Sequence, residues 1–179
     1  DDTRGGAMIM PRGDPLLLPV TPVFIWVSLL MGLAINMVPL GRIVWMPDLL
    51  MVLLVFWGVQ QPLRIGMGAA FVLGLCMDVS QSALLGQHAL SYTVVSFGAV
   101  AVRRRLLWFS VPSQAMQLLP LFALAHAVEV LLRWASGGIF PGLWALLAPL
   151  LESLLWPLAS WVLLAPQRRP PDNDQNRPL

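Results

Sequence analysis

Long apolar runs separated by short polar joints make up most of this chain. Between Pro15 and Pro166 there are only ten Asp, Glu or Arg residues and no Lys, and these charges collect at the joints. Runs such as LLMVLLVFWGV and LLPLFALAHAVEVLL are apolar on successive residues, whereas the strands of a membrane barrel would alternate over about ten residues. Only helices and closed barrels satisfy their backbone hydrogen bonds in hydrocarbon, so the pattern predicts an all-α integral membrane protein.

Six of these runs approach the length of a membrane span, which needs about 20 mainly apolar residues within a range near 17–25. The predicted spans are Pro22–Val38, Val44–Val59, Ile65–Val79, His88–Val102, Pro112–Trp134 and Leu143–Leu164. The third and fourth are short and flank a weakly polar joint at residues 80–87, so five spans is the alternative count. We therefore predict a six-transmembrane-helix bundle.

The chain outside the bundle is polar at both ends. We predict an N-terminal cytoplasmic segment at residues 1–21, the membrane domain at 22–166 and a disordered cytoplasmic tail at 167–179. Residues 1–7 are polar and contain glycine, which is typical of a cloning remnant or an upstream start, so they are left out of the fold prediction.

Arginine is distributed unevenly between alternate joints. With six spans and both termini on one side, that side holds nine basic residues and the other holds two, Arg42 and Arg133. The nine are Arg4, Arg12, Arg64, Arg103, Arg104, Arg105, Arg168, Arg169 and Arg177. Because short basic loops are retained in the cytoplasm, the pattern predicts that both termini are cytoplasmic.

Composition agrees with a membrane location. The chain is 58% hydrophobic and 11% charged, against about a quarter charged for soluble domains, which leaves a Leu-rich soluble helical protein as the weaker alternative. The formal charge of +2 is too small to indicate nucleic acid binding. The single Cys76 excludes a disulfide framework, and we expect it to be a small buried side chain. Trp45, Trp108, Trp134 and Trp144 lie at or beside span ends, where indole rings anchor at the headgroups.

Ionisable side chains at membrane depth cost at least about 2.5–3.5 kcal/mol on insertion scales, so each requires an explanation. Asp48 follows Pro47 at the start of the second span, and we predict that it caps the helix. Asp78 lies near the end of the third span. His88, beyond the following joint, is close enough in sequence to reach it, and a structural hydrogen bond is favoured over ligand or proton chemistry.

Small residues share one face of the third span with Asp78. Gly66, Ala70 and Gly74 precede it at four-residue spacing and form an inclined stripe. Small residues let helix backbones approach closely. We therefore expect this face to pack against protein.

A second polar group lies on the fifth and sixth spans. His126, Glu129 and Arg133 occupy one face of the fifth helix at i, i+3 and i+7, and the Glu-before-Arg order at i,i+4 favours an ion pair. Glu152 on the sixth span lies at similar depth, where an Arg shared by two carboxylates, or one protonated carboxylate, is physically reasonable. We predict a polar clasp between the two helices, with a proton-coupled or ligand-binding site as the alternative.

Catalytic motifs are absent from the sequence. No HExxH, CxxC, GxSxG or P-loop pattern occurs, and two histidines and one cysteine provide little material for a metal site or a His-based triad. We therefore expect neither an enzyme nor a cofactor.

Several short segments carry a family resemblance through their order and spacing. WMPDLL at 45–50, FW at 56–57 and QPLRIG at 61–66 are followed by FVLGL at 71–75, Asp78 and LGQHAL at 85–90. Arg104-Arg105 then precedes Trp108-Phe109, and the last span exits through Pro166-Gln167-Arg168-Arg169. Over about Pro22–Arg169 the chain resembles the bacterial rod shape-determining protein MreD family, in the form common in proteobacteria.

The resemblance implies a non-enzymatic scaffold of the cell-elongation machinery in the bacterial inner membrane. The family is encoded with the actin-like filament protein MreB and with MreC, which has a large periplasmic part. It acts with the glycosyltransferase RodA and a class B penicillin-binding transpeptidase to direct lateral peptidoglycan synthesis and rod shape. It also resembles the substrate-binding membrane subunits of energy-coupling-factor transporters in helix count and size. The alternative function is therefore a small-ligand-binding membrane subunit of a transporter.

The small residues suggest where a partner helix would bind. We expect the single transmembrane helix of MreC to lie in a lateral groove, either on the face of Gly66, Ala70 and Gly74 or on that of Ala123 and Ala127. Packing and interhelical hydrogen bonds would drive this association within lipid.

Overall fold

The computed structural model describes residues 20–38 and 46–168 of the chain. Within these ranges the regular structure is helical. The α-helices are α1 (Pro22–Asn36), α2 (Leu49–Gln60), α3 (Met67–Ser80), α4 (Gln87–Leu106), α5 (Val111–Ala135) and α6 (Leu147–Leu164), with short 3-10 segments at Leu143–Leu146 and Ala165–Gln167. The all-helical prediction is confirmed for these residues, and each helix corresponds in order to one predicted run.

Two segments are long and apolar enough to cross a membrane, judged by length and composition. They are Val111–Ala135 and Leu143–Gln167, with 25 residues each. Helices α1, α2 and α3 are also apolar but have only 15, 12 and 14 residues. At 1.5 Å per residue α2 is about 18 Å long, against a hydrocarbon thickness of about 30 Å. The arrangement of six crossings therefore stays a prediction.

The predicted terminal segments lie largely outside the described residues. Residues 1–19 and 169–179 belong to these segments and lie outside the described ranges. The internal stretch 39–45, which contains Arg42 and Trp45, also lies outside them. The predicted segment boundaries near residues 21 and 167 therefore stay predictions.

Helix α2 forms the centre of the core. All residues from Leu50 to Val59 are buried, because α1, α4 and α6 pack around this helix. Trp57 donates its indole N–H to Ser28 Oγ on α1 at 2.8 Å, so that a buried polar atom is satisfied between the helices. Phe56 packs edge-on against Trp57. The all-round apolar character of α2 thus reflects contact with protein on every side.

Helices α3 and α4 form a closely packed antiparallel pair. Ala70 and Gly74 of α3 are buried, and a Cβ atom on Gly74 would lie 2.6 Å from the backbone N of Ala89 on α4. Only glycine permits this approach. The part of the small-residue face at Ala70 and Gly74 packs against protein as predicted, and the protein it meets is the next helix of the same chain, whereas Gly66 is exposed. Cys76, on another face of α3, is exposed, so the expectation that it is buried was wrong.

Consecutive helices run in opposite directions and bring the charged residues to two ends of the bundle. Tyr92, in the second turn of α4, donates to Asp48 at the start of α2, whereas Arg103 near the end of α4 donates to Val59 near the end of α2. We call the first end the acidic end, because it carries Asp48, Asp78, Glu129 and Glu152. We call the other the arginine end, because it carries Arg64, Arg103, Arg104 and Arg105.

Candidate functional site

Asp78 binds the beginning of α4 from the end of α3. The residue is 1% exposed; Oδ2 accepts the backbone N–H of Gly86 at 2.8 Å, and Oδ1 accepts that of His88 at 2.8 Å. The first N–H groups of a helix have no partner within the helix, and a negative charge there is favourable. The Nδ1 atom of His88 also lies 2.8 Å from Asp78 Oδ1. The geometry is that of a helix cap supplied by a neighbouring helix.

Asp48 caps α2 and joins three helices. Its Oδ1 accepts the backbone N–H of Met51 at 3.0 Å, which confirms the predicted cap. The same carboxylate accepts hydrogen bonds from Asn36 at the end of α1 and from the hydroxyl of Tyr92 on α4. Neither Asn36 nor Tyr92 was predicted from the sequence. The available signal was that Tyr92, the single tyrosine of the chain, follows His88 by four residues and therefore shares its helix face.

Glu152 connects α6 to α2 and α5. It is fully buried, and its Oε1 accepts the backbone N–H of Asp48 at 2.9 Å and lies 2.8 Å from His126 Nε2. The other ring nitrogen of His126 lies 3.6 Å from Glu129 Oε2. His126 therefore sits between the two carboxylates, and its imidazole links Glu129 of α5 to Glu152 of α6.

Arg133 does not take part in this contact. Among the described residues there is no ion pair between Arg133 and either Glu129 or Glu152, so the predicted Glu129–Arg133 pair is absent. The physical reason is that His126 approaches Glu129 from the preceding turn and lies at the depth of Glu152. Arg133 lies a full turn nearer the end of α5, where its side chain is exposed.

A cavity of about 780 Å³ opens at the acidic end. This volume is within the range of small-molecule sites. Its wall is formed by the end of α1, the start of α2, the α3–α4 joint and the last turns of α5. The polar side chains that line it include Asn36, Asp48, Gln87, His88, His126, Glu129 and Arg133. The two predicted polar groups, one around Asp78 and one around Glu152, thus meet at one cavity, although Asp78 and Glu152 themselves do not line it.

Metal-ligating side chains are not grouped in the part of the chain that the structure describes. No set of three or more His, Cys, Asp or Glu residues there is placed to hold a metal ion. The arrangement can donate and accept hydrogen bonds and can offer charge to a bound molecule.

The two surfaces expected to hold a partner helix differ in access. Ala70 and Gly74 are covered by α4, so the α3 surface is not open to a second chain; Gly66, at the start of α3, is exposed. On α5, Ala127 is exposed and Ala123 is half-buried. Of the two small-residue faces, only the one on α5 is accessible along the helix.

Comparison with known proteins gives the family. The model of the rod shape-determining protein MreD family matches residues 17–164, which include all six α-helices. The rod shape-determining protein MreD of Haemophilus influenzae is 28% identical over 130 residues, covering 70% of this chain and 76% of that protein. No solved structure matches. Because the family model covers most of the chain, the protein belongs to the MreD family.

Proposed function

We propose that this protein is a non-enzymatic scaffold of the bacterial elongation machinery that binds MreC and helps direct lateral peptidoglycan synthesis. The family match over residues 17–164 carries this proposal. Membership of the family gives a role in rod shape determination, and the family is one of shape-determining structural proteins. The apolar helices fit a membrane protein. The proposed setting is the inner membrane, in a complex that also contains MreB, RodA and a class B penicillin-binding transpeptidase.

The proposed topology has six crossings, with both termini in the cytoplasm. Its support is that Arg64 and the run Arg103–Arg105 lie at one end of the bundle, where short basic loops are expected on the cytoplasmic side. Trp108, at the same end, is 90% exposed, as suits an interfacial anchor. Helix α2 does not need the full bilayer length because protein surrounds it. A reporter that is active in only one compartment, fused to the C-terminus, tests this topology. A reporter that works in the cytoplasm is expected to be active, and activity of one that works in the periplasm would contradict the topology.

The proposed surface for the transmembrane helix of MreC lies on α5. Ala127 is exposed, and the neighbouring Leu124 and Leu131 are exposed by 53% and 60%. A small residue between two large ones makes a notch into which a partner side chain fits. In lipid, where apolar burial supplies little driving force between helices, such packing is the main source of affinity.

A substitution in the notch tests this surface. Ala127→Leu fills it, and we expect it to reduce the amount of MreC that co-purifies with the protein in mild detergent. Ala101→Leu, at an exposed alanine of α4, is the matched control and is expected to retain MreC. Equal retention by both variants would contradict the α5 surface. Gly74→Leu is unsuitable for this purpose because its side chain would collide with Ala89.

The cavity supports a second candidate, a small-ligand-binding membrane subunit of a transporter with the architecture of the energy-coupling-factor subunits. A volume of about 780 Å³ is sufficient for a small molecule. The same purification distinguishes the two functions, because a transporter subunit would retain a cytoplasmic ATPase module in place of MreC.

A further inference from the structure

The cavity at the acidic end contains polar atoms that the fold leaves without partners. Glu129 lines the cavity, and its Oε1 atom is buried without a hydrogen-bond partner in the described structure. Glu152 Oε2, on the other side of His126, is also buried without a hydrogen-bond partner in the described structure. A buried carboxyl oxygen without a partner costs free energy that a bound donor would recover.

Gln87 adds a second polar side chain at the same cavity. This residue is 4% exposed and lines the cavity at the start of α4. Its backbone N–H donates to Leu84 at 3.0 Å, at the start of the helix. An amide that lines a cavity can both donate to and accept from a polar ligand.

Arg133 provides the opposite charge nearer the cavity mouth. Its side chain lines the cavity and is exposed, and the guanidinium forms no ion pair among the described residues. Arg133 follows Glu129 by four residues, which is a rise of about 6 Å along the helix. The cavity thus presents an acceptor for a cation at depth and a donor for an anion about one turn above it.

We propose that this cavity binds a small zwitterion in which a primary ammonium group is joined to a phosphate or carboxylate. The ammonium donates hydrogen bonds to Glu129 Oε1 and to the amide oxygen of Gln87. The anionic group contacts the guanidinium of Arg133. The aminoethyl phosphate headgroup of a phospholipid and a free aminoalkyl phosphate share this chemistry. The proposal goes beyond the scaffold function and does not depend on it.

Lipid binding to the purified full-length protein tests the proposal. Native mass spectrometry in detergent would compare phosphatidylethanolamine with phosphatidylglycerol, which has the phosphate but no ammonium. We expect phosphatidylethanolamine to bind about tenfold more tightly, as one hydrogen-bonded charge contact implies. Free aminoethyl phosphate, added to the same sample, shows whether the headgroup alone is bound. Displacement of phosphatidylethanolamine would indicate that the headgroup suffices, and no displacement would indicate that the whole lipid is required.

Variants of the two charged residues locate the binding. Glu129→Gln is expected to abolish the preference for the ammonium lipid, whereas Glu129→Asp, which keeps the carboxylate, should retain part of it. Arg133→Gln should weaken both phospholipids, and Arg104→Gln, at an exposed arginine of the opposite end, should weaken neither. Thermal unfolding in the same detergent verifies that each variant is folded. Equal binding of the two lipids, or a preference that survives Glu129→Gln, would overturn the proposal.

Discussion

The two ends of the bundle hold their charges in different ways. At the acidic end Asp78 and Glu152 are buried and accept backbone hydrogen bonds from other segments of the chain. At the arginine end Arg104 and Arg105 are exposed. Side-chain length explains the difference, because a long arginine side chain reaches polar surroundings from an apolar helix, whereas a short carboxylate at the same depth does not. Asp78 and one oxygen of Glu152 are therefore held by backbone N–H groups of the protein and have a structural role.

The largest expected effect is the loss of the Asp78 cap. In Asp78→Ala the backbone N–H groups of Gly86 and His88 lose their acceptor, and the ring of His88 loses its charged partner. We expect the free energy of unfolding to fall by about 3–5 kcal/mol, as for other broken buried pairs. Unfolding in mixed detergent and dodecyl sulfate micelles would measure it. A loss below about 1 kcal/mol would show that the cap is dispensable.

The second effect concerns Glu152. Glu152→Ala leaves the backbone N–H of Asp48 and one nitrogen of His126 unpaired, and we expect a loss of about 2–3 kcal/mol in the same unfolding measurement. Ser160→Ala on the same helix is the control. Its hydroxyl is buried without a partner in the described structure, so its removal should leave stability unchanged or slightly higher. If the free energy of unfolding falls by a similar amount in both variants, the loss comes from shortening a side chain on α6 and not from the broken hydrogen bonds.

The third prediction concerns Arg103, an arginine of this end that forms a hydrogen bond within the bundle. Arg103 is partly buried, and its Nε donates to the backbone oxygen of Val59 at 2.6 Å, so it ties α4 to α2. Arg103→Gln should lower the free energy of unfolding by about 1 kcal/mol, less than either carboxylate substitution. A loss as large as that of Asp78→Ala would remove the contrast between the two ends.

The smallest effect is expected at an exposed arginine. Arg104→Gln should leave the unfolding transition in mixed micelles unchanged, because the side chain is exposed and its removal breaks no described hydrogen bond. Together with Arg103→Gln it separates an arginine that acts through a contact from one that acts through charge alone. A clear destabilisation by Arg104→Gln would contradict the interpretation that an exposed arginine at this end does not stabilise the fold.

Particular residues indicate how far the site was predictable. The cap by Asp48 was readable because a short acidic residue directly precedes an apolar run, which is a local signal. The contact between His126 and Glu152 depends on how the two helices are placed along each other, which the sequence does not give. The i,i+4 spacing predicted Arg133 as the partner of Glu129, whereas the structure places His126 beside Glu129. Asn36 and Tyr92 were missed because their link to Asp48 joins distant parts of the chain. Gln87 was not predicted as a site residue, since only the fold makes it line a cavity.

The sequence by itself determined that the chain is helical, where its six apolar runs lie, and which family it belongs to. Lipid and protein interiors are both apolar, so composition does not distinguish α2, which is wholly enclosed, from α1, whose Val23 and Met31 are 69% and 59% exposed. Tertiary structure decided which helix is central, that the α3 stripe meets α4, and how the buried carboxylates are paired. These features depend on contacts between distant residues, and such contacts form only when the helices pack.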